Sequence, residues 1–243
     1  MEYRKDSDLD FLQRCSADDL DPLVTILTRI KKGRRRLTER LTRQPRFKEH
    51  SPDHPKYWDL IAAELQCFGA NTFATLARRG RGKPYRKILI RVCKKKKVNF
   101  NKKSSTPTIE WCLLMKVLIE LFEKTSQEDL RRILNEMNIP IPTSDFTPEG
   151  VAAAFQAAIR AGKFSPYEIA VIVANAVLKA VIGRGLSVAA NAALTRVLGI
   201  IAGPIGWVVT GIWIAIDVAG PAYRVTIPAV IYVAYLRLKH NAA

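Results

Sequence analysis

Residues 165–183, SPYEIAVIVANAVLKAVIG, decide the fold class of this chain. Ser165 stands where a side chain caps a helix, Pro166 suits the first helical position, and Glu168 completes the start signal. The residues that follow are apolar around the whole helix, and Lys179 is their single charge. A helix of this composition lies in a protein core or in lipid. The stretch therefore predicts an all-α protein with an apolar C-terminal half.

Two further apolar runs follow this helix. Val197–Ile216 contains twenty uncharged residues, the length that a helix needs to cross hydrocarbon, but Pro204 and several glycines interrupt it. Val225–Leu236 has twelve residues and is too short to span a bilayer upright. We predict a helical hairpin with arms at about 187–218 and 226–238.

Small and interfacial residues of this region predict either membrane insertion or close helix packing. Gly199 and Gly203 form a GxxxG pair, which permits close helix contact in lipid and serves equally well in a water-soluble core. The residues expected to serve insertion or packing are Gly199, Gly203, Trp207, Gly211, Trp213, Asp217 and Arg224. Three alternatives stay open: conditional or peripheral insertion, a buried core, and a permanently spanning protein. The interrupted helices disfavour the last of these.

Charge is concentrated in the first part of the chain. The protein has 39 Lys+Arg and 22 Asp+Glu, a formal net charge of +17, and residues 78–103 hold thirteen basic residues and no acid. Ile88, Leu89 and Val92 give this stretch an apolar side, so we predict a basic amphipathic helix within it. The predicted lipid- or anion-binding residues are Arg78, Arg79, Arg81, Lys83, Arg86, Lys87, Arg91, Lys94, Lys95, Lys96 and Lys97.

The basic stretch is compatible with three interpretations. It is a solvated helix face, or it contacts anionic lipid, where each Lys or Arg contributes about 1 kcal/mol. The third and least favoured partner is nucleic acid, whose phosphates a basic patch neutralises without reading sequence. Tyr85 and Phe100 are its only aromatic residues, and no DNA-reading motif accompanies it.

The chain divides at a proline-containing seam. Residues 1–149 carry a net charge of +11, whereas residues 150–243 contain only ten charged side chains. Three prolines and a glycine lie between 138 and 150. We therefore predict a basic helical module at 1–138, a linker at 139–150, and an apolar helical module at 151–243. Within the first module, the helix-start patterns SADD at 16–19 and SQED at 126–129 and the apolar periodicity of 57–68 predict three helices.

Catalysis and cofactors find little support. Four cysteines, at positions 15, 67, 93 and 112, form no CxxC pair and predict buried reduced thiols in a cytoplasm-facing compartment. His50 and His54 flank Pro52, which prevents a helix from aiming both rings at one metal, so we predict surface histidines. No nucleophile elbow, metalloprotease, phosphate-loop or dinucleotide fingerprint occurs. We predict no enzyme, no cofactor and no metal.

Three strings carry a family resemblance that spans nearly the whole chain. DSDLDFLQRCSADDLDPLV at 6–24, YWDLIAAELQCFGANTFATLARRGRGKPYRKIL at 57–89 and GPAYRVTIPAVIYVAYLR at 220–237 resemble the YaaW-type family of uncharacterised bacterial proteins. That family is remotely similar to the ubiquinol–cytochrome c chaperones. The resemblance implies no catalytic residue and no reaction. The chaperone link implies a helper in the assembly of a membrane complex.

The residues together favour a membrane-associating helical protein. We expect the basic segment to draw it to an anionic membrane surface, where the apolar helices insert, permeabilise or oligomerise into a homo-oligomer. The alternative is a soluble binding protein or assembly chaperone with a protein client, in which the apolar segment is core. A non-specific nucleic-acid binder is the second alternative. The expected location is the cytoplasm, with the protein attached to or inserted in the inner membrane.

Overall fold

The structure, a computed structural model, describes residues 1–29, 36–68, 82–141, 146–186 and 223–241. Within these ranges the fold is all-α, with no strand, as the sequence predicts. The helices are α1 Ala17–Thr28, α2 Pro45–His50, α3 Trp58–Phe68, α4 Tyr85–Lys95, α5 Thr106–Phe122, α6 Gln127–Glu136, α7 Pro148–Arg160, α8 Pro166–Ile182 and α9 Tyr223–Asn241. Short 3-10 helices lie at Asp10–Arg14, Leu41–Arg43 and His54–Tyr57.

Several helix starts follow the predicted capping chemistry. The Ser16 side chain accepts the backbone N–H of Asp19, and the Ser16 N–H donates to the Asp19 carboxylate, which makes a complete capping box. Ser165 and Glu168 form the same box at the start of α8. Ser126 accepts the Asp129 N–H at the start of α6. Because each cap satisfies a backbone donor that the helix leaves free, these sequence patterns locate the helix starts.

The two apolar helices α8 and α9 form the centre of the protein core. α9 packs against α8 and also against α1, α3, α4 and α5. Every residue from Val225 to Leu236 is buried. In α8 the buried residues include the run Ile169–Leu178. The described apolar helices are therefore surrounded by the rest of the polypeptide.

This burial corrects the expectation that these helices present apolar faces to lipid. The predicted second hairpin arm, 226–238, is part of α9, where the side chains are buried through Leu236 and Leu238 is partly buried. No helix in the described ranges combines the length and the apolarity that crossing a membrane requires. The predicted first arm, 187–218, lies outside the described residues.

One hydrophobic cluster joins the two predicted modules. It includes Leu20 and Ile61 from the first module together with Phe155 and Val230 from the second. Phe122 of α5 stacks on Phe155 of α7, with ring centroids 5.2 Å apart. The division at 139–150 stays a prediction.

A buried polar network fastens α9 to the N-terminal part of the chain. The Glu110 carboxylate is 3% exposed and accepts hydrogen bonds from Arg237 Nε, at 2.7 Å, and from the Tyr85 hydroxyl, at 2.6 Å. Arg237 also donates to the backbone carbonyl of Asp8 at 2.6 Å. Burial alone would lower the pKa of the Arg237 guanidinium, but the Glu110 carboxylate raises it. Burial raises the pKa of the Glu110 carboxyl, and the contacts with Arg237 and Tyr85 oppose this rise. Both partners hold further hydrogen bonds.

Three other side chains differ from the sequence-based prediction: His54, Cys67 and Cys112. His54 is buried, not on the surface. Its Nδ1 lies 2.5 Å from the Tyr57 hydroxyl, and its Nε2 lies 3.4 Å from the Asp21 carboxylate. Cys15 and Cys93 are buried as predicted, whereas Cys67 and Cys112 are half-buried. Burial raises the pKa of the Cys93 thiol to about 12, so this thiol is protonated and a poor nucleophile.

Candidate anion-binding face

The basic stretch folds as the predicted amphipathic helix. In α4 the inward side chains are Tyr85, Ile88, Leu89, Val92 and Cys93, all buried. Because residues three and four apart share one side of a helix, Lys87, Arg91 and Lys94 point to the opposite side. The same local pattern that buries α4 therefore directs part of its positive charge outwards.

Two of the predicted basic residues, Arg86 and Lys96, make contacts within the protein. Arg86 donates to the Thr106 hydroxyl at 3.0 Å and to two backbone carbonyls of the loop before α5, those of Lys102 and Ser104. Lys96 pairs with the Glu120 carboxylate, and its side chain is only 10% exposed. These two cations stabilise the contact between α4 and α5, so their charges are largely committed inside the protein.

Four lysines remain exposed on α4 and at its C-terminal end. They are Lys87, Lys94, Lys95 and Lys97, here called the lysine face. Within the described ranges none of the four makes an ion pair. Arg91, within α4, and Lys83, which precedes it, are half-buried. The arrangement leaves four exposed ammonium groups that no acid in the described ranges neutralises.

The loop that Arg86 holds adds two exposed cations. Lys102 and Lys103 are exposed and follow α4 by a few residues. They belong to the basic stretch but were not among the residues predicted to bind an anion. Arg86 is the residue from which they could have been predicted. Its guanidinium has several donors for carbonyls of a nearby loop, and here it binds the carbonyls of Lys102 and Ser104.

Lys97 occupies a backbone position that normally favours glycine. Its φ is 52°, in the left-handed region. The Val98 N–H donates to the Cys93 carbonyl at 2.9 Å and the Lys97 N–H to the Lys94 carbonyl at 3.1 Å, which is a Schellman ending for α4. After α7 the same position is filled by Gly162, with a φ of 73°. A lysine there costs roughly 1–2 kcal/mol, so the fold retains a charge at the expense of stability.

The N-terminus of α9 lies next to the lysine face. The Lys95 ammonium lies 5.4 Å from the centre of the Tyr223 ring, in a cation–π contact. Tyr223 begins α9 and Arg224, half-buried, follows it. The chain therefore rejoins the described core next to the lysine face after the apolar stretch at 187–222.

The remaining predicted site residues lie outside the described residues. They are Arg78, Arg79 and Arg81 of the basic set, and Gly199, Gly203, Trp207, Gly211, Trp213 and Asp217 of the insertion or packing set. The insertion and homo-oligomer predictions that depend on them stay predictions.

Comparisons with known proteins divide the chain into two matched regions. A family model described as ubiquinol-cytochrome C chaperone matches residues 53–231, and a domain of unknown function (DUF3944) matches residues 3–37. In the structure the two regions touch: the Tyr85 N–H donates to the Asp6 carboxylate at 2.6 Å, and the Arg4 N–H donates to the Gln66 side-chain oxygen at 3.0 Å.

Relatives match over almost the full length. A UPF0174 protein of Helicobacter pylori strain J99 is 45% identical over 243 residues, which covers 100% of this chain and 95% of the relative. A UPF0174 protein of H. pylori strain 26695 is 39% identical over 85% of this chain and 100% of its own. The UPF0174 protein YaaW of Escherichia coli K12 is 35% identical over 97% of this chain and 95% of its own. No solved structure matches the chain.

The resemblance carried by the strings at 6–24, 57–89 and 220–237 is thus confirmed. The chain belongs to the UPF0174 (YaaW) family, and its residues 53–231 belong to the ubiquinol-cytochrome C chaperone family.

Proposed function

We propose that this protein is a non-catalytic assembly chaperone that holds an acidic surface of a protein client on its lysine face. The match of residues 53–231 to the ubiquinol-cytochrome C chaperone model is the observation that carries the proposal. The burial of α8 and α9 supports it, because these helices form a stable core on which a binding surface is displayed. The proposed location is the cytoplasm.

Lysine chemistry suits transient binding of this kind. An ammonium group on a flexible stem is a point charge that accommodates many arrangements of carboxylates. A surface of like charges also accelerates encounter with an oppositely charged partner, and salt weakens the effect. A chaperone must release its client, so an electrostatic contact that is individually weak fits the task better than a large apolar interface.

The chemistry of the described interior agrees with a binding role. Tyr85 is fully buried, and burial raises the pKa of its hydroxyl well above the ordinary value. Burial likewise raises the pKa of the Cys15 thiol to about 12. Groups with these properties are protonated at neutral pH and serve the core as hydrogen-bond donors or apolar volume.

The test uses assembly of ubiquinol–cytochrome c reductase, the first client class that the family name suggests. Cells that lack this chain but contain that complex would be complemented with wild type or with a variant carrying Gln at 87, 94, 95 and 97. The matched control replaces four exposed lysines elsewhere, Lys5, Lys48, Lys56 and Lys163, by Gln.

We expect wild type and the control to restore the assembled complex on a native gel and the lysine-face variant to restore several-fold less. Normal assembly in cells without the chain would contradict the proposal for this client. If both variants restored assembly equally, the lysine face would not be the surface that holds the client.

Docking on anionic lipid is a second candidate, favoured by the position of Tyr223. The chain returns to the lysine face at this residue from a stretch in which 197–216 are uncharged. Lysines beside an apolar segment are the usual pattern of a protein that attaches to an acidic membrane surface. This candidate places the protein on the inner membrane. Flotation with phosphatidylglycerol vesicles at low and high salt tests it, and failure to float with any vesicle would exclude it.

A further inference from the structure

The end of α6 creates a groove on the side of the protein. Asn138 has a φ of 52°, the Ile139 N–H donates to the Leu134 carbonyl at 2.9 Å, and the Asn138 N–H donates to the Asn135 carbonyl at 3.0 Å. This Schellman ending reverses the chain. Ile139, Pro140 and Ile141 therefore turn back along α6 instead of continuing away from it. Between them lies a cavity of about 320 Å³.

Polar and apolar groups contribute almost equally to the lining of the groove. Leu134 and Ile139 are buried, and Pro140, Ile141 and Phe146 complete the apolar lining. The rim consists of Arg131 and Asn135, which lie one turn apart on α6 and are both exposed. The volume is at the small end of the range for binding pockets, about 300–1,000 Å³. It suits one or two side chains of a partner.

Arg131 is positioned to bind an anion at this rim. Its guanidinium lies 4.9 Å from the centre of the Phe146 ring, which holds the side chain over the groove. Within the described ranges Arg131 makes no ion pair, whereas its neighbour Arg132 pairs with Asp129 at 2.6 Å. Arg131 is also the only charged residue among the described lining residues. A guanidinium with free donors is well suited to a carboxylate.

We infer that this groove binds a short client segment that places one apolar side chain in the cavity and an adjacent Asp or Glu against Arg131. The inference rests on the proposed chaperone function and names the kind of segment that such a protein recognises. Charge complementarity selects the occupant, because the cationic rim favours an acidic residue and disfavours a basic one, while the apolar part of the lining accepts a Leu or Phe side chain.

The test measures peptide binding to the full chain by fluorescence anisotropy. The probe is a labelled peptide Gly-Ser-Leu-Phe-Asp-Gly-Ser, with two matched peptides in which Lys replaces Asp or Ser replaces both Leu and Phe. Three proteins are compared: wild type, Arg131→Glu and Arg132→Glu. Arg132→Glu makes the same charge change on the same helix, outside the groove. Circular dichroism melting checks that each variant is folded.

We expect the acidic–apolar peptide to bind wild type and Arg132→Glu alike and to bind Arg131→Glu at least tenfold more weakly. Both altered peptides should bind wild type at least tenfold more weakly. A second variant, Phe146→Ala, should weaken the same peptide, because it removes the ring that positions Arg131. No binding at about 1 mM peptide, equal binding of all three peptides, or equal binding by Arg131→Glu would overturn the inference.

Two outcomes separate this inference from the proposed function. If the peptide binds as expected but cells assemble the membrane complex normally without the chain, the groove assignment stands and the chaperone proposal fails for that client. If assembly of the complex depends on the chain and the Arg131→Glu variant restores assembly fully although it does not bind the peptide, the groove assignment fails and the chaperone proposal stands. Decanoate that binds through Arg131 while the peptide does not would also overturn the inference, in favour of a small anionic amphiphile.

Discussion

The sequence predicts that both α4 and α9 contact a membrane, but the two helices differ in how much of their surface is buried. α4 buries one side and exposes lysines on the other. α9 is buried along Val225–Leu236 and packs against α1, α3, α4, α5 and α8 among the described helices. A helix with charges on one side shows which side faces water, whereas an apolar helix shows only that water is excluded. The contrast teaches that charge periodicity locates a surface, but uniform apolarity does not distinguish core from lipid.

The ion pair between Glu110 of α5 and Arg237 of α9 provides the largest expected effect. Replacing Arg237 by Met leaves the Glu110 carboxylate buried without its partner, and we expect the free energy of unfolding to fall by about 3–5 kcal/mol. The measurement is urea unfolding followed by circular dichroism.

The double variant Glu110→Leu with Arg237→Met is the control for this pair. It removes both charges, so its loss should be smaller than that of Arg237→Met alone. A single variant as stable as wild type would show that α9 is not held by this ion pair.

The next effect concerns Glu64, a second interior charge, on α3. Its side chain is 1% exposed, and burial raises its pKa to about 7. One carboxylate oxygen accepts the Arg40 N–H at 3.1 Å, and no described residue donates to the other. Because the unfolded chain ionises this group near pH 4.5, folding loses up to about 3 kcal/mol as the pH rises from about 4.5 through 7.

Glu64→Gln should abolish this loss. We expect the variant and wild type to have similar unfolding free energies near pH 4.5 and the variant to be more stable at pH 8, with the gap opening between. Urea unfolding at a series of pH values measures the gap, and Glu128→Gln, on an exposed acid of α6, is the control that should show none. Parallel curves for Glu64→Gln and wild type would contradict the assignment.

The fold was predictable from the sequence wherever a local pattern determines local structure. Ser16, Ser126 and Ser165 located helix starts because a cap and its target lie three residues apart. The orientation of α4 followed from the spacing of its apolar residues. The placement of α9 in the core did not follow, because its partners lie on helices far away in the chain.

The candidate site was predictable only in part, for the same reason. Arg86 and Lys96 belong to the same basic stretch as the lysine face, yet both bind other residues of the protein. Lys96 is neutralised by Glu120, 24 residues later, and only tertiary packing brings the two together. The groove at the end of α6 was missed because it requires the left-handed turn at Asn138 to fold the chain back.

Lys97 gives the smallest effect and the sharpest test of the lysine face. Glycine at this left-handed position removes a cost of roughly 1–2 kcal/mol but adds about 0.5–1 kcal/mol of chain entropy, so we expect Lys97→Gly to stabilise the protein by about 0.5–1 kcal/mol. Lys94→Gly deletes the same charge inside α4 and should destabilise by about 1 kcal/mol. Both variants should weaken binding to an acidic partner, measured at low salt. If Lys97→Gly gains stability without losing affinity, the lysine is a local imperfection of the helix end, and the lysine face does not include it.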